Sequence, residues 1–270
     1  MKLGIGTYAY MWSIGFPGAQ PRNPMTALGL LAKAHEFGLG VVQYGPNLSL
    51  GTLPEDELSV LLEKARDWKI DLEVGTRGLE TAHLRQQVDL AKRVGSRILR
   101  TVPELAGGRI PTGEEITRHL QAILPELGAA QVKLAMENGN IPAATLDRVL
   151  SSLASPWVGI TLDTVNSLAI PEGTERVVKT LAPHTVCLHI KDFVVKRVWH
   201  MMGFIVEGKP TGQGQLAIPW LLEELRAAGV DPNAILELWL PQTENLEETI
   251  ALEHRWAAES IPYLRRFIPD

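Results

Sequence analysis

Short apolar or β-branched runs alternate with longer amphipathic stretches along the 270-residue chain. The runs at 3–7, 40–44, 71–75, 97–101, 133–137, 158–163, 186–190 and 234–238 read as strands. Helical patterns occupy 25–37, 53–67, 81–94, 112–127, 218–228 and 245–267. In the first, apolar residues at 27, 28, 31, 34 and 37 approach a 3.6 period, and Gly38 stands at the C-cap position. The second opens with Pro54, Glu55, Asp56 and Glu57, acids where the helix dipole favours them. Gly95, Gly128 and Gly229 are placed to end three others, and Pro262 predicts a kink or break in the last. The repeat of about 34 residues is the size of one βα unit. The pattern predicts one domain over 1–270, a (β/α)8 barrel with its functional mouth at the C-terminal strand ends. A doubly wound open sheet is the rival, but Gly4-Ile5-Gly6-Thr7-Tyr8-Ala9 lacks the third glycine of its phosphate turn.

Composition narrows the partners. With 26 Lys+Arg against 31 Asp+Glu the formal charge is −5, which argues against a nucleic-acid backbone as ligand. Apolar residues at 45% and charged residues at 21% exclude a disordered chain. No apolar run approaches the roughly 18–20 residues of a membrane span. The N-terminal residues read as a strand rather than a cleavable signal. The lone Cys187 forms no intramolecular disulfide and suits a reducing compartment, so the expected location is cytoplasmic. Cys187 itself reads as strand packing.

Four consecutive strands end in a metal-competent residue: Glu137, Asp163, His189 and Glu237. Alternation puts Ala135 with Glu137, Thr161 with Asp163, Cys187 with His189 and Ile235 with Glu237 on the inner face. One such acid alone would be read as a helix cap or a lysine partner. Three carboxylates crowded at one mouth repel unless a cation neutralises them. Three oxygen ligands and one imidazole suit Mn²⁺ or Mg²⁺, with Co²⁺, Fe²⁺ and Zn²⁺ left open.

The strand ends Met136-Glu137-Asn138, Leu162-Asp163-Thr164, His189-Ile190-Lys191-Asp192 and Leu236-Glu237-Leu238-Trp239 carry a further signal. With Gly212-Gln213-Gly214 before Ile218-Pro219-Trp220, they resemble the xylose isomerase-like superfamily of sugar isomerase and epimerase barrels along essentially the whole chain. The resemblance implies that Glu137, Asp163, His189 and Glu237 are the four metal ligands. It also implies that Glu137 and Glu237 are catalytic, flanking the substrate carbon and exchanging its proton across a metal-stabilised cis-enediolate. Homo-oligomers, dimers or tetramers, are implied as well. One departure stands out: the epimerases carry a histidine three residues after the strand-6 aspartate, where this chain has Asn166. Asparagine hydrogen-bonds a hydroxyl but exchanges no proton at neutral pH.

Arg77, Arg100, Lys191, Arg197 and His200 near the mouth suit an anionic sugar acid or sugar phosphate. Alternatively, Arg100 pairs with Glu73 inside the wall and Arg77 merely balances the carboxylates. Asp192 is expected to fix His189 or a helix end. Tyr8, Tyr10, Trp12, Trp199 and Trp239 are candidates to stack on a sugar, Tyr10 and Trp12 foremost. His35, His83, His119, His184 and His254 fall in helices or at the far end. The connection 191–217, about 26 residues, exceeds the usual length and carries Met201, Met202 and Phe204, as a lid or an oligomer contact would.

The leading expectation is a divalent-metal sugar isomerase or epimerase. The same site would serve a lyase, decarboxylating a 3-oxo sugar acid or dehydrating a polyol. An endonuclease-type phosphodiesterase and a non-catalytic sugar-binding barrel rank below these.

Overall fold

Eight parallel strands close into a barrel in a computed structural model that describes residues 1–269. They are β1 (Leu3–Gly6), β2 (Val41–Tyr44), β3 (Asp71–Arg77), β4 (Ile98–Val102), β5 (Lys133–Glu137), β6 (Val158–Asp163), β7 (Thr185–Ile190) and β10 (Asn233–Leu236). Each pairs with its neighbour in chain order, and β1 closes the ring against β10. The alternation in the sequence thus becomes the predicted (β/α)8 fold.

The connection 191–217 is not a loop. It holds an antiparallel hairpin, β8 (Asp192–Arg197) with β9 (Phe204–Lys209), paired over the whole of both strands. Only its base is buried, at Asp192, Phe193 and Gly208, so the apolar residues further out show no inner face. Trp199, Met202 and Phe204 are exposed on it.

Helices occupy the connections: α1 (Met11–Ile14), α2 (Ala27–Glu36), α3 (Glu55–Asp67), α4 (Thr81–Val94), α5 (Gly113–Ala130), α6 (Ala143–Leu153), α7 (Thr174–Leu181), α8 (Ile218–Ala227) and α9 (Leu246–Arg265). Gly38, Gly95 and Gly229 take positive φ at helix ends as expected. Gly128 does not end α5; it lies inside the helix against the Trp157 indole, and Gln131 supplies the left-handed cap. Nor does Pro262 end α9, which continues to Arg265. α6 and α7, of 11 and 8 residues, add two amphipathic helices to the patterns read from the sequence.

Two apolar regions result. The large one lies between strands and helices and includes Leu30, Leu99, Ile123, Leu134, Leu188 and Leu222. A small one, Val41, Ala135, Cys187 and Ile235, fills the barrel interior. That second cluster is the inner face the strand alternation predicts. Above it the interior turns polar, with Glu137, Asp163, His189 and Glu237 all buried.

The C-terminal helix anchors the segment after β1. Glu253 on α9 is buried, and its carboxylate accepts hydrogen bonds from the backbone N–H groups of Trp12 and Ser13, each at 2.9 Å, and from Ser13 Oγ at 2.6 Å. Burial pushes its pKa up to about 7. Between about pH 4.5 and 7 the folded chain therefore keeps a proton that the unfolded chain releases, and stability from this group falls as pH rises. Over that window the change amounts to about 3 kcal/mol. Urea denaturation should thus find the stability advantage of wild type over Glu253→Gln shrinking by about that much from pH 5 to pH 8. A constant advantage would contradict the assignment.

Candidate metal centre and substrate cleft

Strand register gathers the four strand-end residues. Asp163 on β6 lies opposite His189 on β7, while Glu137 ends β5. Glu237 follows β10 two residues after Ile235, which is opposite His189. Gly6 on β1 leaves the space Glu237 needs: a Cβ there would stand 3.2 Å from Glu237 Oε1.

Ligand atoms of Glu137, Asp163 and His189 all lie within 4.8 Å of one another. Glu237 joins them, its Oε1 being 3.4 Å from His189 Nδ1. Nδ1 also lies 3.6 Å from Glu137 Oε2 and 3.8 Å from Asp163 Oδ2. His189 Nδ1, Asp163 Oδ2 and Glu237 Oε2 are buried and make no hydrogen bond. Buried atoms of this kind are costly unless something binds them. Three convergent carboxylates and a lone-pair nitrogen are a donor set that fits a divalent cation.

The surroundings hold each group. Asp163 Oδ1 accepts the N–H groups of Val165 and Asn166, both at 2.9 Å, which turns Oδ2 inward. Asn138 braces the same strand end, accepting from Asp163 N at 2.6 Å and donating to Asp163 O at 3.0 Å. Lys191 Nζ lies 2.7 Å from Asp163 Oδ2 and 2.8 Å from Glu237 Oε2, pairing charge without hydrogen-bond alignment.

Electrostatics follow from that crowding. Burial opposes the Lys191 ammonium, but Asp163, Glu237 and Glu137 outweigh it and push its pKa up, so Lys191 is a fixed positive charge. Burial likewise works against charged Asp163, yet Lys191 and His189 hold its carboxyl below the usual range. His189 is pushed up by Glu237 and Glu137 against its own burial. The cause is the same surplus of negative charge that a cation would neutralise.

Above the four groups opens a cleft of about 370 Å³, lined in part by Tyr8, Arg77, Arg100, Asn166, Lys191 and Glu237. A larger hollow at the opposite mouth, among the strand starts, has none of the unpartnered buried polar atoms found among the described residues.

Arg100 does not pair with Glu73. Its guanidinium ion-pairs with Glu137 Oε2 and donates to Thr76 O at 3.3 Å. Its strand neighbour on β3 is Gly75, and its guanidinium lies at the level of the metal-competent groups. Arg77 lines the cleft and pairs with Glu104 at 2.9 Å. Asn166 Nδ2 donates to Glu137 Oε1 at 2.5 Å. Both oxygens of Glu137 are thereby engaged.

Of the aromatic candidates, Tyr8 lines the cleft, whereas the foremost pair, Tyr10 and Trp12, does not. Tyr10 is fully buried against His254, with ring centroids 4.9 Å apart, and Trp12 packs on Phe16 at 5.1 Å. A 3-10 turn over Thr7–Tyr10 sends Tyr8 to the cleft instead. Arg197 and His200 line no part of the cleft. Arg197 donates to Met201 O at 2.9 Å and lies over the Phe204 ring, while His200 Nδ1 accepts from Met202 N, all within the hairpin. Trp199 stands at the exposed tip with His200, and Trp239 Nε1 donates to Asp192 O.

Asp192 serves neither His189 nor a helix end. Its carboxylate accepts four backbone N–H groups: Phe193 and Leu216 on Oδ1, Gly212 and Gly214 on Oδ2, at 2.8 to 3.0 Å. This clamp explains Gly212-Gln213-Gly214. A Cβ on Gly214 would fall 2.1 Å from Asp192 Oδ1. Gly214→Ala is expected to cost about 2–3 kcal/mol in urea denaturation, and a loss below about 1 kcal/mol would contradict the clamp.

A sequence profile described as Xylose isomerase-like TIM barrel matches residues 13–266. The chain belongs to this family. Among members of the xylose isomerase-like family, 3-oxo-isoapionate decarboxylase of Pectobacterium atrosepticum is 33% identical over 98% of this chain and 95% of its own length. D-psicose 3-epimerase of Clostridium cellulolyticum H10, solved with D-tagatose, superposes at TM-score 0.71 with 14% identity, covering 99% of both chains. A xylose isomerase-like barrel of Mycobacterium smegmatis, solved in complex with magnesium, gives TM-score 0.68 at 11% identity and 97% coverage of each. Likeness this distant shows the shared barrel.

Gln43 and Glu73, which hold His189 from below, and Asn138 were missed by sequence reasoning. The signal was available for Gln43, a lone polar residue at an inward position of an otherwise apolar strand.

Proposed function

We propose that this protein is a divalent-metal-dependent decarboxylase of a 3-oxo sugar acid. The observation that carries this reading is the state of Glu137: Oε2 is bound by Arg100 and Oε1 by Asn166. Two-base epimerisation needs two carboxylates free to take and return a carbon-bound proton. Decarboxylation needs no C–H abstraction. Its bond-breaking step sends the electrons of the carboxylate-bearing bond into the neighbouring carbonyl, and CO₂ leaves. The relationship to the Pectobacterium decarboxylase supports the same choice.

The group that Glu137, Asp163, His189 and Glu237 would hold is Mn²⁺ or Mg²⁺, with Co²⁺, Fe²⁺ or Zn²⁺ as alternatives. When bound, it supplies Lewis-acid stabilisation of negative charge on substrate oxygens. The chain does the rest. Arg77 and Arg100, on one wall, bind the substrate carboxylate and hold the breaking bond across the carbonyl plane, the orientation in which its electrons reach the π system. Tyr8 lies beside Arg100, its guanidinium 5.8 Å from the ring centroid, and covers the sugar. Asn166 donates to Glu137 and keeps it from acting as a base. Lys191, a fixed positive charge at the cleft floor, faces the negative charge that develops as CO₂ leaves, and the carbon takes its proton from solvent.

A second reading, isomerisation with Glu237 as sole base, is favoured by Glu237 Oε2, which accepts no hydrogen bond and has only the Lys191 charge beside it, at 2.8 Å. One assay separates them. Purified protein with Mn²⁺ and a 3-oxo sugar acid should release one CO₂ per molecule consumed. Recovery of an isomer with the carboxylate intact would overturn decarboxylation in favour of isomerisation.

A further inference from the structure

Beneath the four metal-competent groups, the barrel interior holds a chain of polar side chains that none of the chemistry above uses. Gln43 and Glu73 are almost wholly buried, and His189 entirely so. Gln43 Nε2 donates to Glu73 Oε2 at 2.9 Å, and Gln43 Oε1 lies 2.7 Å from His189 Nε2. Asn233 Nδ2 donates to Glu73 Oε1 at 2.8 Å, and Cys187 Sγ lies 3.8 Å from Glu73 Oε2.

We propose that Glu73 and Gln43 are positioning residues that fix the tautomer of His189, keeping its proton on Nε2 and its Nδ1 lone pair facing the three carboxylates. The direction of each hydrogen bond gives this result. Gln43 Nε2 donates to Glu73 Oε2 and also to Cys187 Sγ at 3.4 Å, so the amide turns its NH₂ away from His189. That leaves the Gln43 carbonyl oxygen facing His189, and an oxygen acceptor demands N–H at Nε2. Without the relay, the local field would favour the other tautomer. Nδ1 sits 3.4 to 3.8 Å from Glu237, Glu137 and Asp163, and an N–H there would be drawn to them. That tautomer cannot ligate a cation. The relay thus works against the pull of the empty carboxylates and delivers a ligand-ready nitrogen before any cation arrives.

The inference rests on the cation-holding reading of the four residues and is independent of which reaction they serve. Its test begins without metal or turnover. Protein labelled with ¹⁵N-histidine and stripped with EDTA is examined by long-range ¹H–¹⁵N spectra at alkaline pH. The neutral His189 ring should be protonated at Nε2, and Glu73→Gln, which can offer a donor to the Gln43 oxygen, should shift it toward the Nδ1-protonated form. Calorimetric titration with Mn²⁺ alone should then show Glu73→Gln and Gln43→Leu binding about ten- to hundredfold more weakly than wild type. Wild-type His189 protonated at Nδ1, or folded variants that bind Mn²⁺ as tightly as wild type, would overturn the proposal. Should neither variant fold, the wild-type spectrum decides it alone. Wild type that binds no Mn²⁺ would instead sink the cation-holding reading and with it the purpose of the relay.

Discussion

Glu237→Gln is expected to abolish stoichiometric Mn²⁺ binding and to lower kcat/KM by about a thousandfold or more. The substitution keeps the size and removes one of three negative charges. It also removes one of the two carboxylates that flank Lys191, the other being Asp163. A lost ligand should exceed the ten- to hundredfold loss typical of groups that only orient ligands. Stability should fall as well. Burial penalises the Glu237 charge, but His189, Lys191 and Arg100 outweigh that penalty and hold its carboxyl below the usual range, so neutralising it leaves those cations less well compensated. Calorimetry with Mn²⁺ and a CO₂-release assay on one preparation measure both effects. A variant that still binds the ion and turns over would remove Glu237 from the site.

Arg100→Leu carries the second large effect. The guanidinium and Glu137 are both buried, at 5% and 3% side-chain exposure, so deleting the cation leaves a carboxylate with no compensating charge on that side. Breaking a buried pair from one side costs about 3–5 kcal/mol, which for a chain of this size lowers Tm by roughly 6–20 °C. The loss should be smaller in Mn²⁺ than in EDTA, because a bound cation takes over part of the compensation for Glu137. A carboxylate-bearing substrate should also lose its grip, raising KM more than a hundredfold, since a charge-assisted bidentate contact disappears. Equal and small Tm shifts with and without metal would show that Arg100 and the cation do not share Glu137.

Much of this architecture is legible in the chain because strand alternation is strict. Once 133–137, 158–163, 186–190 and 234–238 are strands, Glu137, Asp163, His189 and Glu237 have no other face to occupy, and the structure places them together. Side chains whose direction depends on a third element were not legible. Arg100 turns toward Glu137 on the next strand, β5, rather than toward Glu73 on β3. Tyr8 and Tyr10 exchange places because the residues after β1 form a 3-10 turn rather than an extended segment. The hairpin of β8 and β9 was not legible because only its base, at Phe193 and Gly208, packs on the barrel, and its outer apolar residues show no buried face. Asp192, read as a partner of His189, is captured by a loop more than twenty residues away. Local pattern specifies the barrel and the four inward strand-end groups, while long-range packing chooses what surrounds them.

Anomalous diffraction from crystals grown with Mn²⁺ tests the account most directly. One peak should appear at the C-terminal mouth, within bonding distance of Glu137, Asp163, His189 Nδ1 and Glu237. Fully occupied manganese elsewhere on the molecule, with those four side chains bound only to Lys191 and Arg100, would contradict it.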